Sequence, residues 1–283
     1  MNYHFRTIGL GTINYRRAAK RLAEEAQRTG RFKSAIVFDE KFLETEAPDF
    51  WKLHEDILHA RTPGFGWWIW KPQFIKLCLE QIPEGDVLFY IDAGTVLGNQ
   101  NADLLSLDLI LSRAEDQDLI GSNSQEFSEK LYSSKDLMDH CNLTVNDRNG
   151  NQFWAGFFMV KNNYRGNEFV KLWKTLLCQN DHHFLCPKIE LDSEEPGFIH
   201  HMYDQAVFSC LMKQFQGLSI AIDQSYVYGP VRPARHRYGF SIFENRRHIR
   251  IFYKTIACVS RLKLFGERRV FRNSLTMRPI RHD

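Results

Sequence analysis

The sequence predicts an α/β domain of the Rossmann-like kind, a mainly parallel central sheet flanked by helices. Three observations lead there. Short apolar runs end on a carboxylate or a glycine, as in Ser34 to Asp39 and Val87 to Asp92. Stretches with apolar residues at helical spacing alternate with those runs. The first strand, helix, strand unit has the length of a parallel crossover. The 283 residues are 43% hydrophobic and 13% aromatic, ample material for one packed core.

In chain order, Thr7 to Gly11 reads as a first strand closing on glycine. Asn14 to Thr29 reads as a helix: Ala18, Leu22 and Ala26 line one face with Ala19 and Ala23, and Gly30 stops it. Ser34 to Phe38 is a second strand. Pro72 sits in the first turn of a helix, where its missing N–H costs nothing, and Ile75, Cys78, Leu79 and Ile82 follow at helical spacing. Pro83-Glu84-Gly85-Asp86 turns into the central strand, Val87 to Ile91. Residues 102–117 read as a helix, 119–121 as a strand and 128–140 as another helix. Residues 142–151 read as an exposed, turn-rich loop. Next come a strand over 153–160, a helix over 165–178, a helix from about Asp204 and a strand over 218–223. The pattern then dissolves into a Gly/Pro/Arg loop over 228–239. The economical division is one domain over 1–245 and a basic amphipathic tail over 246–283.

No segment approaches the ~20 apolar residues of a membrane span, and Met1 to Leu10 lacks a signal-like apolar core. A cytoplasmic protein is expected. The six cysteines include no C-x-x-C pair, which predicts reduced, mostly buried thiols. The net charge of +3 is unevenly spread: the tail carries eleven Lys/Arg and two acids, net +9, which leaves the body at −6. Apolar residues interleave the tail's cations, so an anionic membrane surface is a possible partner for it. No recognition motif accompanies the charge, and no nucleic acid is expected.

The chemistry concentrates in residues 63–94. Asp92 ends a buried strand, where open α/β sheets bind ligands, and Ala93 and Gly94 allow a bulky ligand to approach the backbone. Trp67, Trp68 and Trp70 are either core or a shaped wall, and the flanking Gly64, Gly66 and Lys71-Pro72 favour the wall. Lys71 is either a solvated lysine or a phosphate or sugar contact. Asp204 is either a helix N-cap or a reactive carboxylate. Gly9-Leu10-Gly11 is a weak nucleotide-loop signal, because Asn14 stands where a dinucleotide fingerprint has its third glycine.

Gly64-Phe65-Gly66-Trp67-Trp68-Ile69-Trp70-Lys71-Pro72 followed by Tyr90-Ile91-Asp92-Ala93-Gly94 resembles bacterial and viral glycosyltransferases of the GT-A fold. These have a Gly-x-Gly-Tyr-Trp-x-Trp-Lys-Pro segment and a Tyr-x-Asp-Ala-Gly segment. The chain is more distantly similar to glycogenin-like and galactosyltransferase-like enzymes. The likeness continues through Trp154 to Val160 and His201 to Ser209, spanning roughly residues 5–240.

It implies a GT-A-like fold and transfer of a hexose-type sugar from a UDP- or GDP-type donor to a glycan or lipid-linked acceptor. The setting it implies is bacterial surface polysaccharide or lipopolysaccharide synthesis, at the inner face of the plasma membrane. Under this resemblance Gly11, Thr12, Tyr15, Phe38 and Asp39 cradle the nucleoside. Trp67, Trp70, Lys71, Trp154, Gly156 and Gln205 border the donor, and Asp204 faces the reacting sugar as a base. Asp92, with Ala93 and Gly94, stands where relatives begin an Asp-x-Asp metal motif. Gly94 replaces the second Asp: either a divalent cation, Mn2+ or Mg2+, is held by Asp92 with a later residue such as His236, or binding is weaker or metal-free and basic residues neutralise the phosphates, the metal being the favoured reading. Alternatives are a sugar nucleotidyltransferase, and a non-catalytic membrane- or nucleic-acid-binding protein with a degenerate transferase domain.

Overall fold

The computed structural model describes residues 1–60, 62–220 and 230–232. Among these residues are eight strands: β1 (Tyr3–Ile8), β2 (Ser34–Phe38), β3 (Val87–Ile91), β4 (Val96–Leu97), β5 (Leu119–Ser128), β6 (Asn151–Lys161), β7 (Leu218–Ile220) and β8 (Val231–Arg232). Six form a sheet in the order β2-β1-β3-β6-β5-β7, and β4 pairs with β8. β1, β2, β3, β5 and β7 run one way and β6 runs against them. The α/β architecture with a mostly parallel sheet is therefore present.

Every residue of β3 is buried because both faces of the sheet are covered. Leu88 and Tyr90 face a core with the helices Trp70–Glu80, Tyr164–Cys178 and Tyr203–Gln214. Val87, Phe89 and Ile91 face the other core, with Leu22 and Ala26 of helix Ile13–Thr29 and Leu107 and Leu111 of helix Asn101–Ser112. The period of two explains how one uninterrupted apolar run serves two cores.

The chain steps outward from β1 to β2 and returns past β1 to β3. The carboxyl ends of β1 and β3 therefore flank the point where strand order reverses, which is where open α/β sheets leave a crevice. Gly9 lets helix Ile13–Thr29 fold back against this end: a Cβ there would lie 2.6 Å from both Arg16 Cα and Tyr15 O.

Several boundaries differ from expectation for physical reasons. The first strand starts at Tyr3, and Gly9 to Gly11 belong to the following turn. His4 and Arg6 hide its start because they are polar yet buried, bonded to Asp86 and Ser34. The helix expected over 128–140 is two, Glu129–Tyr132 and Lys135–His140. Ser133 breaks it with extended backbone, while its Oγ donates to Glu129 Oε1 at 2.5 Å. Within the expected loop 142–151 lies a helical turn, Val145–Asn149, capped reciprocally by Thr144 and Asp147. The strand expected over 119–121 runs on to Ser128, with irregular register. Within the loop expected over 228–239, Val231 and Arg232 pair with Leu97 and Val96.

No helix among the described residues is long and apolar enough to cross a membrane. Cys78, Cys141, Cys178, Cys186 and Cys210 are free thiols. The boundary at 245, the tail 246–283, His236 and Cys258 lie outside the described residues.

Candidate functional site

Asp92 leaves the end of β3 with its backbone N–H donating to Gly156 O at 2.9 Å and its C=O accepting from Thr95 N at 3.0 Å. Its carboxylate is 29% exposed. The Tyr90 hydroxyl donates to Oδ1 at 2.6 Å, and Lys71 Nζ stands 3.4 Å from the same oxygen. Oδ2 has no protein partner among the described residues. One oxygen is thus anchored and the other is open.

Lys71 comes from the aromatic segment, whose backbone is unusual. Five consecutive residues have positive φ: Gly64 (67°), Phe65 (55°), Gly66 (83°), Trp67 (49°) and Trp68 (62°). Each non-glycine residue held in this left-handed region costs about 1–2 kcal/mol, and runs of such residues are rare. Three contacts hold the turn: Gly66 N donates to Thr62 Oγ1 at 3.1 Å, Trp70 Nε1 donates to Gly64 O at 2.9 Å, and Trp67 stacks on Tyr203 at 5.8 Å between ring centroids. Phe65 lies beside Gly11, where an added Cβ would come within 3.3 Å of its ring. The left-handed turn thereby bridges the β1 turn and the head of helix Tyr203–Gln214.

Beyond this turn the Lys71 side chain runs inward. The residue is 1% exposed, and its ammonium lies 3.0 Å from Asp204 Oδ2 and 3.2 Å from Ala155 O, with the rings of Trp68, Trp70 and Tyr90 at 5.8–5.9 Å. Burial opposes its charge, but Asp204 and Asp92 outweigh that and hold its pKa above the ordinary lysine value. Burial pushes the Asp204 carboxyl up to about 6 against the pull of Lys71, and Asp92 adds to the rise. Burial and the neighbouring Asp92 carboxylate raise the Tyr90 phenol well above its ordinary value, which keeps it a donor.

Two expectations change in consequence. Lys71 as a direct phosphate contact meets an ammonium already enclosed by two carboxylates and a carbonyl, so its charge reaches the surface through Asp92. Asp204 as an open base meets a side chain that is 5% exposed and engaged by Lys71.

The remaining expected residues have different surroundings. Gly11 (φ 79°), Ala93 and Gly94 lie in the turns that follow β1 and β3, and Tyr15 in the first turn of helix Ile13–Thr29 packs on the cluster of Ala18, Ala19 and Ala93. Thr12 and Asp39 are helix N-caps, accepting from Tyr15 N at 3.4 Å and Lys41 N at 3.1 Å. Phe38 packs on Phe42 and Phe74, and Trp70 is buried, so these two belong to the core. Trp154 covers Gly156, where a Cβ would lie 2.4 Å from the indole. Gln205 follows Asp204 on its helix and donates to Gln152 Oε1 at 2.9 Å. His201 is a core residue: its Nδ1 accepts from Ser134 N, its Nε2 donates to Phe184 O, and burial lowers its pKa to about 4.

Sequence reasoning missed Tyr90 as a partner of Asp92, although Tyr90-x-Asp92 places both side chains on one face of an extended chain. It also passed over Arg21 and Glu25 of helix Ile13–Thr29. Both are buried; they pair at 2.9 Å, Arg21 donates to Ala93 O and Thr95 O, and Glu25 accepts from Leu97 N. This pair clamps the turn after Asp92.

The fit to a divalent cation is narrow. An ammonium already stands between Asp92 and Asp204, so the two carboxylates do not form a cage. No group of three His, Cys, Asp or Glu among the described residues is placed to hold a metal. The open Asp92 Oδ2 suits a hard cation that draws its other ligands from water and phosphate.

No protein-family model matches the chain, and no curated protein matches it. Among solved structures, it is similar to mouse xyloside xylosyltransferase 1 in its apo form (10% identity, 79% of this chain and 86% of that one, TM-score 0.42). It is also similar to a glycosyltransferase involved in glycosylation of the major capsid of PBCV-1 (11% identity, 89% and 100%, TM-score 0.44). A third is the galactosyltransferase LgtC in complex with donor and acceptor sugar analogues (12% identity, 74% and 70%, TM-score 0.37).

Proposed function

We propose that this protein is a glycosyltransferase that moves a hexose-type sugar from a nucleoside-diphosphate donor, of UDP or GDP type, to a glycan or lipid-linked acceptor. The observation that carries the reading is Asp92. It stands at the carboxyl end of β3 beside the strand-order reversal, with Oδ1 held by Tyr90 and Lys71 and Oδ2 open. Each segment with the family resemblance sends a residue to that carboxylate or to its lysine: Lys71 lies 3.4 Å from Asp92, Gly156 O accepts from Asp92 N at 2.9 Å, and Asp204 lies 3.0 Å from Lys71.

With Asp204 ionised, two carboxylates face one ammonium, a net charge of −1 that repels a diphosphate. A divalent cation on Asp92, with His236 as the further ligand suggested by the sequence, would supply the charge that offsets the leaving diphosphate. The chain's own residues do the rest. Tyr90 and Lys71 orient the Asp92 carboxylate, Asp204 holds Lys71 in place, and Gly11, Ala93 and Gly94 let the donor approach backbone. The left-handed turn at 64–68 walls the opening.

Within this reading the protein works on surface polysaccharide or lipopolysaccharide at the cytoplasmic face of a bacterial membrane, with the basic tail available for anionic lipid.

The test is incubation of the full chain with a panel of UDP- and GDP-sugars, with and without Mn2+ and a set of glycan acceptors. Release of UDP or GDP without added pyrophosphate is the expected result. Turnover that demands pyrophosphate or a nucleoside triphosphate would instead identify a nucleotidyltransferase. No turnover, and no thermal stabilisation by any nucleotide, would remove the enzymatic reading.

A further inference from the structure

Behind the site lies a buried polar network that no expected residue except Gln205 touches. Its centre is Glu129, fully buried at the start of the short helix after β5. Its Oε2 accepts from Ser209 Oγ at 2.5 Å and pairs with Lys213 Nζ at 2.7 Å. Its Oε1 accepts from Ser133 Oγ at 2.5 Å and Gln152 Nε2 at 3.3 Å. Gln152, also fully buried, directs the same Nε2 at Tyr132 O (3.1 Å) and Ser133 Oγ (2.9 Å). Its Oε1 accepts from Gln205 Nε2, which also points at Met202 Sδ, 3.5 Å away.

Donor and acceptor rules leave this chain one orientation. A backbone carbonyl cannot donate, and a carboxylate paired with lysine is an acceptor, so the Gln152 amide must turn its NH2 toward Tyr132 O and Glu129. Its carbonyl then faces Gln205, which must answer with its own NH2. The Gln205 carbonyl is what remains, and Oε1 of this half-buried residue has no partner among the described residues. An isolated glutamine would offer either end of its amide at similar cost; here the choice is made two residues deep in the core.

We propose that Gln152 is a positioning residue that locks the Gln205 amide with its carbonyl outward. The head of helix Tyr203–Gln214 then offers a hydrogen-bond acceptor beside Asp204, suited to a neutral hydroxyl and unsuited to a carboxylate or phosphate oxygen. The assignment of that hydroxyl to a sugar rests on the glycosyltransferase reading. The locked amide does not.

The experiment separates the two. Side-chain amide NMR of the full chain, with Gln205 assigned through Gln205→Glu, reads the lock directly. Gln205 NH2 signals in the native chain are expected to exchange slowly with solvent. In Gln152→Leu, which removes the acceptor, that protection falls at least about 10-fold, the loss of one hydrogen bond. Gln152→Met keeps the length of the side chain without its amide and without adding charge, and is expected to lose the same protection, so it answers the question should the leucine variant fail to fold. Unprotected Gln205 signals in the native chain, or protection unchanged in Gln152→Leu, overturn the proposal. With an active donor in hand, Gln152→Leu and Gln152→Met are each expected to lower kcat about 10-fold with KM little changed; equal kcat in all three proteins overturns the positioning role. A native chain that turns over no donor sinks the transferase reading and leaves the amide result to judge the lock.

Discussion

The Tyr90 hydroxyl donates to Asp92 Oδ1 at 2.6 Å, two residues along one extended segment, with Tyr90 itself buried between Phe74 and Phe158. A core aromatic thus sets the direction of the carboxylate that follows β3. Tyr90→Phe keeps the ring and removes only the donor. Turnover is expected to fall roughly 10- to 100-fold, as for partners that orient a ligating carboxylate, at a stability cost of about 1 kcal/mol. Kinetics and thermal unfolding on the same preparation check this; unchanged kcat/KM would show that Asp92 needs no such anchor.

Lys71 and Asp204 form a buried pair at 3.0 Å. Removing one partner strands the other's charge away from water, so Lys71→Met is expected to cost about 3–5 kcal/mol. The double variant Lys71→Met/Asp204→Asn should recover part of that loss, because no buried charge then lacks its partner. Urea unfolding of the four proteins measures the coupling, and strictly additive effects would contradict it.

Asp204 also makes stability depend on pH. Its carboxyl titrates at about 6 in the fold, and near its ordinary value of about 4 in the unfolded chain. Between those values the folded state binds more protons, so the contribution of Asp204 is fully present below about pH 4 and is lost as the pH rises through about 6. The difference in stability between the native chain and Asp204→Asn should therefore shrink or change sign over pH 4–6 and level off above. A flat difference across that window would mean that Lys71 holds Asp204 ionised throughout.

Gly9→Ala is expected to destabilise by about 1–3 kcal/mol, because the new methyl meets backbone atoms of Tyr15 and Arg16 that cannot move without the whole helix. The displaced helix would carry Gly11 and Tyr15 with it, so weakened nucleotide binding should accompany the loss. Calorimetry with UDP and GDP tests the pair of effects; a stability loss with intact affinity would separate the β1 turn from the donor.

Asp92→Asn keeps the shape of the side chain and removes its charge. If Asp92 carries the cation, the added stabilisation that Mn2+ gives to nucleotide binding should disappear in this variant while the fold persists. Mn2+ dependence identical to that of the native chain would mean that the cation, if used, sits on other residues.

The amino-acid order alone disclosed the alternation of strand and helix, the placement of Asp92 at a strand end and the aromatic turn before Lys71. These depend on residues near one another in the chain: a period of two or 3.6, a proline at a helix start, a glycine after a carboxylate. What it could not disclose is which polar residues go inside. Lys71, Arg21, Glu25, Glu129 and Gln152 have the composition of surface residues, and each is buried because a partner far along the chain meets it, as Ser209 meets Glu129 across 80 positions. Only the folded sheet brings Asp204 to Lys71 and turns an expected ligand contact into a buried ion pair. The cost of an unpaired buried charge makes such pairing obligatory, and distance along the chain hides it.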